Sequence, residues 1–277
     1  MKQDTTPLPA FIVIGAAKAA TTWIANQLRA RPDIFIPGPE PHYFSSEFDR
    51  GEAWYRAWFA DAQPGQIVSE KSADYLAHPD APHRMAAMLP GIRLLVQLRN
   101  PVERAYSDYC MYFRRGTVDG DIAKWLGSPD HDYPRFLMDG LYHQHIQRFL
   151  EYYPREMMDI VFYEDIRSQP DAVLDRVYRF LDLPELEEEI SLVERANVKN
   201  APMLPLALRK GLAPAKGMVA PLRSKPWFKA IHGALSKEVS YPPLPDGLRQ
   251  RLIDFYAHDV EQLEKLVGRD LSSWRQG

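Results

Sequence analysis

The stretch that decides the fold of this chain is Phe11-Ile12-Val13-Ile14-Gly15-Ala16-Ala17-Lys18-Ala19-Ala20-Thr21-Thr22-Trp23. It begins with a short apolar run, which is typical of a buried parallel strand. The run ends at Gly15, small residues follow, and a helical pattern continues from Trp23 to Arg29. A strand, a tight turn and a helix in this order point backbone N–H groups and a helix N-terminus at an anion. The stretch therefore predicts an anion-binding loop.

Three side chains of this loop are candidate anion ligands. Lys18 adds a mobile positive charge, and the hydroxyls of Thr21 and Thr22 are donors to phosphoryl oxygens. The loop is not a Walker A motif, because that motif requires a second glycine directly before the lysine, whereas Lys18 follows Gly15 by three positions. On the loop alone, an ordinary strand-to-helix turn with a surface lysine remains an alternative.

The composition is that of a globular protein, with 277 residues, 45% hydrophobic and 26% charged, and a net charge of −3. This length suits one large α/β domain or two small ones. The near-neutral charge argues against a nucleic-acid partner. The single cysteine, Cys110, excludes an internal disulfide framework and a cysteine-based zinc site. No transmembrane run or signal sequence is evident, so we expect a cytoplasmic location.

Four further apolar runs predict strands, at Ile34–Ile36, Gln66–Lys71, Ile92–Leu98 and Met158–Tyr163. Helical patterns alternate with them, which predicts a single α/β domain over residues 1–277. Its expected architecture is a P-loop-like three-layer fold, with helices on both faces of a central parallel sheet. Lys18, Lys71 and Arg99 each follow a predicted strand. Because ligands gather at the carboxyl ends of parallel strands, these positions favour an anion site.

An aromatic-rich segment at residues 51–60 is predicted to be helical. It contains Trp54, Tyr55, Trp58 and Phe59. Aromatic residues at such spacing belong more often to a core than to a cofactor site, so we expect them to be buried.

A basic segment spans about residues 195–241. Between Arg195 and Lys237, nine lysines and arginines occur without an acidic residue. Prolines and glycines interrupt it, so we expect loops and short helices. Two roles are open for it: a lid on the acceptor side of a site, or contact with an anionic membrane surface through its apolar residues.

Five motifs together resemble a known family, the sulfotransferases that use 3′-phosphoadenosine 5′-phosphosulfate (PAPS). They are Gly15–Thr22, Glu40–Phe44, Glu70–Tyr75, Leu98–Tyr109 and Gly140–His145. The first is similar to the family's 5′-phosphosulfate loop, and the fourth to its 3′-phosphate motif, R-(N/D)-P-x-x-R-x-x-S. The branch that the chain resembles contains heparan sulfate N-sulfotransferases, glucosaminyl 3-O-sulfotransferases and their bacterial relatives.

The resemblance implies PAPS as the sulfuryl donor, with no metal ion required. The loop residues implied to hold its 5′-phosphosulfate are Ala17, Lys18, Ala19, Ala20, Thr21 and Thr22. Arg99 and Ser107 are implied to hold the 3′-phosphate, because Ser107 lies about two turns along a helix that starts at Pro101. Without the motif, Ser107 would be an ordinary solvated serine. Lys237 is implied as a further cofactor contact.

The resemblance also implies a catalytic base for the acceptor's proton. Glu40 matches the catalytic glutamate of this branch, and the prolines on either side, Pro39 and Pro41, restrict its backbone. His42 is the rival base, because a histidine has a pKa near neutrality.

Two lysines are implied to act on the reacting groups. Lys18 would neutralise the charge on the leaving phosphate. Lys71 would lie beside the reacting centre and bind acceptor or sulfuryl oxygens. The structural alternative for Lys71 is an ion pair with Glu70 or Asp74.

The chain departs from the family pattern at three places. Ala20 stands where the family usually has glycine, so the backbone there is expected to approach the donor less closely. Pro39 replaces a frequent lysine. A K-G-R-x-H-P loop that covers the cofactor in animal relatives is matched only at Lys237 and Pro242, and the resemblance is weak between about residues 187 and 241.

Two other functions remain open. A P-loop-like ATP phosphotransferase would need magnesium ligands, for which Glu164 and Asp165 are candidates. A non-catalytic protein that binds nucleotides or membrane surfaces is the second, although the joint presence of Lys18, Glu40 and Lys71 argues against it. The acceptor also stays open, as a hydroxyl or amine of a glycan, a lipid or a small molecule.

Overall fold

A five-stranded, all-parallel sheet forms the centre of the protein. The computed structural model describes residues 7–185 and 239–276. Its strands are β1 (Phe11–Gly15), β2 (Ile34–Phe35), β3 (Ile67–Lys71), β4 (Arg93–Leu98) and β5 (Met158–Phe162). Their order in the sheet is β2-β3-β1-β4-β5. The sheet confirms the predicted α/β class, and β1 lies at its middle.

Helices fill the connections between the strands. The described helices are α1 (Thr21–Arg29), α2 (Glu52–Ala57), α3 (Ala81–Met88), α4 (Pro101–Arg115), α5 (Ile122–Leu126), α6 (Arg135–Met138), α7 (Tyr142–Leu150), α8 (Tyr163–Ser168), α9 (Pro170–Phe180) and α10 (Asp246–Val267). Tyr163, predicted as the end of a strand, is instead the first residue of α8. In the part of the chain that is described, every helix is too short or too polar to cross a bilayer.

Two hydrophobic cores lie on opposite faces of the sheet, because side chains alternate along each strand. On β1, Phe11 and Val13 belong to the core formed with α1, α8 and α9. Ile12 and Ile14 belong to the larger core formed with α3, α4, α7 and α10. Helices therefore cover both faces, which confirms the predicted three layers.

The aromatic segment at residues 51–60 is only partly core. Tyr55 and Phe59 are buried, as expected. The side chains of Trp54 and Trp58 remain half-exposed. Both pack against the edge of the larger core without being enclosed by it, so the expectation of burial was wrong for these two.

The basic segment predicted at residues 195–241 lies almost entirely outside the described residues, which leave out 186–238. Lys237, predicted to contact the cofactor, lies there too. Its role and that of the segment stay predictions.

Gly15 ends β1 at a point of close approach between two segments. Leu76 N donates to Ile14 O at 2.8 Å, which holds the chain after β3 against the end of β1. A Cβ atom on Gly15 would lie 2.7 Å from Leu76 Cβ and 3.0 Å from Ala73 O, and Gly15 has a φ of +152°. Only glycine fits here without displacing a neighbour.

We expect Gly15→Ala to destabilise the protein by about 3 kcal/mol, because it adds both a steric clash and backbone strain. Urea unfolding followed by circular dichroism measures the change. Gly247→Ala is the matched control, since a Cβ on Gly247 meets nothing within 4 Å. A Gly15→Ala variant as stable as the control would contradict the close approach.

Candidate active site

The loop between β1 and α1 is shaped to bind an anion. Lys18 and Ala20 take left-handed φ values of 73° and 69°. No side chain caps the N-terminus of α1, and its first turn has no acidic residue. By contrast, Asn100 caps α4 by accepting hydrogen bonds from two of its N–H groups. Trp23 N and Ile24 N donate to Ala20 O. Thr21 N and Thr22 N are therefore the groups of the first turn that can meet an external acceptor, at the positive end of the helix dipole.

The departure from glycine at position 20 carries a conformational cost. Ala20 is the residue that precedes α1, and it has the left-handed conformation in which glycine is preferred. The loop therefore keeps the backbone shape that glycine would allow, although Ala20 adds a methyl group to it.

Lys18 has no carboxylate in direct contact among the described residues. Its Nζ lies 3.5 Å from Met111 Sδ on α4. Burial is the main cause that lowers the pKa of Lys18. Asp108 opposes this effect, while Arg115 and Arg99 lower the pKa further. Within residues 7–185 and 239–276, no carboxylate forms an ion pair with Lys18. The Lys18 ammonium group is therefore available to pair with a bound anion.

Arg99 follows β4 and touches the same loop. Its Nη1 lies 3.5 Å from Lys18 O. The guanidinium also stacks over the Tyr163 ring, 4.8 Å from its centroid, and lies 3.6 Å from Glu103 Oε2. Tyr142 OH donates to Arg99 O at 2.9 Å, which links α7 to the end of β4. The structure thus brings together the two motifs predicted to bind the two ends of the donor.

Ser107 lies between these two cations on α4. It is half-buried, and it shares one helix face with Glu103 and Met111 because the three are spaced by four residues. Glu103 pairs with Arg99 and Met111 contacts Lys18, so Ser107 lies along α4 between the residues that contact the two cations.

The second arginine of this motif, Arg104, is structural. It is completely buried and pairs with Asp108 at 3.5 Å. It also donates to the backbone carbonyls of Arg135 and Phe136. The conformation of the 135–136 segment therefore depends on Arg104, which binds protein groups and not a ligand.

The residues predicted for catalysis, Glu40 and Lys71, are in direct contact. Lys71 Nζ donates to Glu40 Oε1 and, at 3.3 Å, to Thr22 Oγ1. The other oxygen of Glu40 accepts from Ala73 N at 2.9 Å. Lys71 is 10% exposed at its side chain and Glu40 27%. Lys71 therefore bridges Glu40 to the first turn of α1, whereas the neighbouring residue Thr21 is buried.

His42 is held by a separate set of hydrogen bonds. Its Nδ1 lies 2.8 Å from Asp74 Oδ1, and Ser45 Oγ donates to Asp74 Oδ2 at 2.6 Å. His42 N donates to Ser72 Oγ at 3.0 Å. The hydrogen bond to Asp74 is the main cause that raises the pKa of His42. Asp74 is thus engaged by His42 and Ser45, whereas Lys71 pairs with Glu40.

Glu70, a buried residue of β3, holds the neighbouring residues of the site in place through hydrogen bonds. It is fully buried and accepts from Tyr55 OH at 2.7 Å, Ser72 Oγ at 2.8 Å and Tyr75 OH at 3.1 Å. Burial raises the pKa of Glu70 to about 7, against the effect of these hydroxyls. Because the Ser72 proton is given to Glu70, Ser72 Oγ is free to accept from His42 N. The sequence suggested only an ion-pair role for Glu70 and missed this support.

Glu40, His42 and Asp74 place their ligand atoms within 4.8 Å of one another, a spacing that a metal ion can bridge. Their polar contacts, however, are made to protein groups. The Lys71 ammonium lies against Glu40, and the His42 ring bonds Asp74 directly. The cluster is therefore explained without an ion, and the expectation that none is required stays a prediction.

Comparison with known proteins was made by sequence and by structure. The sequence profile of the sulfotransferase domain matches residues 8–215. Heparan sulfate glucosamine 3-O-sulfotransferase 6 of Mus musculus is 30% identical over 276 residues, which cover 95% of this chain and 72% of that protein. The bifunctional heparan sulfate N-deacetylase/N-sulfotransferase 1 of Caenorhabditis briggsae is 26% identical over 289 residues. This match covers 95% of this chain and 30% of that protein.

Among solved structures, a sulfotransferase from Alicyclobacillus acidocaldarius superposes with a TM-score of 0.71 at 24% identity. The superposition covers 98% of this chain and 100% of that one. At this identity the likeness shows a shared fold, and it confirms the predicted P-loop-like architecture.

Glu70 should make stability depend on pH. Its pKa in the folded protein, about 7, lies above its ordinary value of 4.5, so folding favours the protonated form. The wild type should therefore lose on the order of 3 kcal/mol relative to Glu70→Gln as pH rises through this interval.

Urea unfolding of the wild type and Glu70→Gln across this pH range measures the difference. Glu151→Gln, at an exposed glutamate on the surface, is the control and should follow the wild type. A constant difference between the wild type and Glu70→Gln would show that Glu70 titrates normally.

Proposed function

The chain belongs to the sulfotransferase domain family, as its motifs predicted, and we propose that it transfers a sulfuryl group from PAPS to a hydroxyl or amine of an acceptor. The observation that carries this proposal is the contact between Lys71, Glu40 and Thr22. It joins a carboxylate that can take a proton to a loop that can hold an anion.

The residues present fit a donor with two anionic ends. The uncapped N-terminus of α1 with Lys18 suits one end, and Arg99 with Ser107 suits the other. PAPS would supply an activated sulfuryl group on a phosphate that leaves as a dianion. The role of Lys18 is to stabilise the negative charge that develops there, in a site that burial partly shields from water.

Glu40 is proposed as the base that accepts the acceptor's proton. A glutamate is ordinarily ionised at neutral pH, so it can accept a proton. His42, the rival, is held by Asp74, which raises its pKa and favours the protonated imidazolium. Lys71 orients Glu40 and offers its remaining N–H to an oxygen of the reacting groups.

The phosphotransferase alternative finds no support in its candidate magnesium ligands. Asp165 is paired with Arg269, with Nη2 2.7 Å from Oδ1. Glu164 Oε1 accepts from Asn100 N at 3.2 Å. Both carboxylates therefore make structural contacts between segments.

A glycan is the acceptor class that we propose. The sequence relatives named above are heparan sulfate sulfotransferases, and they cover most of this chain. The reacting atom of such an acceptor is a hydroxyl or an amine, which matches a carboxylate base.

We expect adenosine 3′,5′-bisphosphate, the desulfated donor, to raise the unfolding midpoint by several degrees at 100 times its dissociation constant, which corresponds to about 2.7 kcal/mol. Arg99→Ala should abolish the shift, because it removes the guanidinium proposed to hold the 3′-phosphate. Differential scanning fluorimetry measures it.

Arg251→Ala, at an exposed arginine of α10, is the matched control and should keep the full shift. ATP with magnesium is tested in parallel. A shift with ATP and magnesium alone would favour the phosphotransferase reaction and contradict the proposal.

Glu40→Gln should lower kcat by about 10²- to 10⁴-fold, the usual loss on removal of a general base. His42→Gln should lower kcat by less than about tenfold, because His42 is not the proposed base. Transfer from ³⁵S-labelled PAPS to the best acceptor of a glycan panel measures both. The reverse ranking would make His42 the base.

A further inference from the structure

An open groove lies between the segment that precedes Glu40 and the region of α2. It has a volume of about 520 Å³ and two walls. Residues 35–39 form one wall, and Trp54, Ala57, Trp58 and Asp61 form the other. This is where the half-exposed tryptophans of the aromatic segment lie. We refer to it as the tryptophan groove.

The first wall is fixed in place by a partly buried arginine of α1. Arg29 Nε donates to Ile36 O at 3.1 Å, and its Nη2 donates to Pro37 O at 3.0 Å. Pro37 and Pro39 further restrict this backbone. The wall is therefore preformed, and the guanidinium of Arg29 is engaged with carbonyl groups.

The second wall is fixed by aromatic packing. The rings of Trp54 and Trp58 are 5.6 Å apart at 78°, an edge-to-face arrangement. Trp54 also lies 6.3 Å from Tyr43, whose ring stacks on the buried Tyr55. Both walls are thus rigid, which lowers the cost of ordering them around a ligand.

One wall of the groove leads along the chain into the proposed reacting centre. Pro39 at its end directly precedes Glu40. The wall also follows β2, which pairs with β3, and β3 ends at Lys71. An acceptor whose reacting group lies at Glu40 can therefore extend along this groove.

The lining identifies the chemistry of the occupant. Among the lining residues, Asp61 is the single charged one. A pyranose ring has apolar C–H faces, which suit indole and proline surfaces, and hydroxyl groups, which donate to a carboxylate. A polyanionic sugar would be repelled by Asp61, and a hydrocarbon chain would make no use of it.

We propose that the tryptophan groove binds a neutral sugar residue of the acceptor, next to the sugar that receives the sulfuryl group. The inference rests on the proposed function and narrows its acceptor class. The acceptor would be a glycan whose sugar residue in the tryptophan groove carries no charge. A uniformly sulfated polysaccharide would therefore not be the acceptor of this chain.

Isothermal titration calorimetry on the full chain, with and without an excess of adenosine 3′,5′-bisphosphate, tests this. The probes are cellotetraose, maltotetraose, tetra-N-acetylchitotetraose and a fully sulfated heparin hexasaccharide. The variants are Trp58→Ala, Trp58→Phe and Asp61→Asn. Tyr152→Ala, at an exposed aromatic residue outside the groove, is the matched control.

At least one neutral tetrasaccharide should bind the wild type. Trp58→Ala should weaken that binding about tenfold or more, while Trp58→Phe should retain most of it because it keeps an aromatic face. Asp61→Asn should weaken binding of the neutral tetrasaccharide. It should not increase the preference of the protein for that probe over the heparin hexasaccharide. Tyr152→Ala should bind as the wild type does.

Three results would overturn the inference: no neutral probe binds, Trp58→Ala binds as well as the wild type, or the heparin hexasaccharide binds through Trp58. The midpoint shift caused by adenosine 3′,5′-bisphosphate reports the donor site separately. If that shift is present while the neutral probes fail, the groove is refuted and the proposed function stands. If the shift is absent while a neutral probe binds through Trp58, the proposed function fails instead.

Discussion

The ion pair between Lys71 and Glu40 is the interaction on which the candidate site depends. Lys71 ends β3, Glu40 lies in the chain after β2, and Thr22 lies in the first turn of α1, so one ammonium group joins three segments. The pair is largely shielded from solvent, so losing either partner would leave the other charge poorly compensated. Its position at the carboxyl edge of the sheet determines where donor and acceptor can meet.

Charge differs between the anion-binding loop and the tryptophan groove. On one side, Lys18 and Arg99 lie within reach of each other beside an uncapped helix N-terminus, which favours an anion. On the other side, Asp61 is the charged residue of a groove that is otherwise apolar or aromatic. Such a division suits a reaction between a highly anionic donor and a less charged acceptor, because each ligand is favoured on its own side.

Buried polar residues hold these elements in position. Glu70 fixes Ser72 and, through it, the backbone of His42. Asp259 of α10 accepts from the first N–H groups of α7, the helix whose Tyr142 bonds Arg99 O. Each of these groups is costly to bury alone, so the hydrogen bonds that satisfy them also determine which arrangement of loops is stable.

The sequence by itself determined the strands, their parallel arrangement and the motifs, because hydrophobic periodicity and turn residues are local properties. It placed Lys18, Lys71 and Arg99 at one edge of the sheet for the same reason. It could not determine which partners they have. Lys71 pairs with a carboxylate 31 residues away and not with its neighbour Glu70, since adjacent residues of a strand point to opposite faces. Partner choice, the exposure of Trp58 and the burial of Glu70 were decided by tertiary packing, because each depends on which distant segments the two cores bring together.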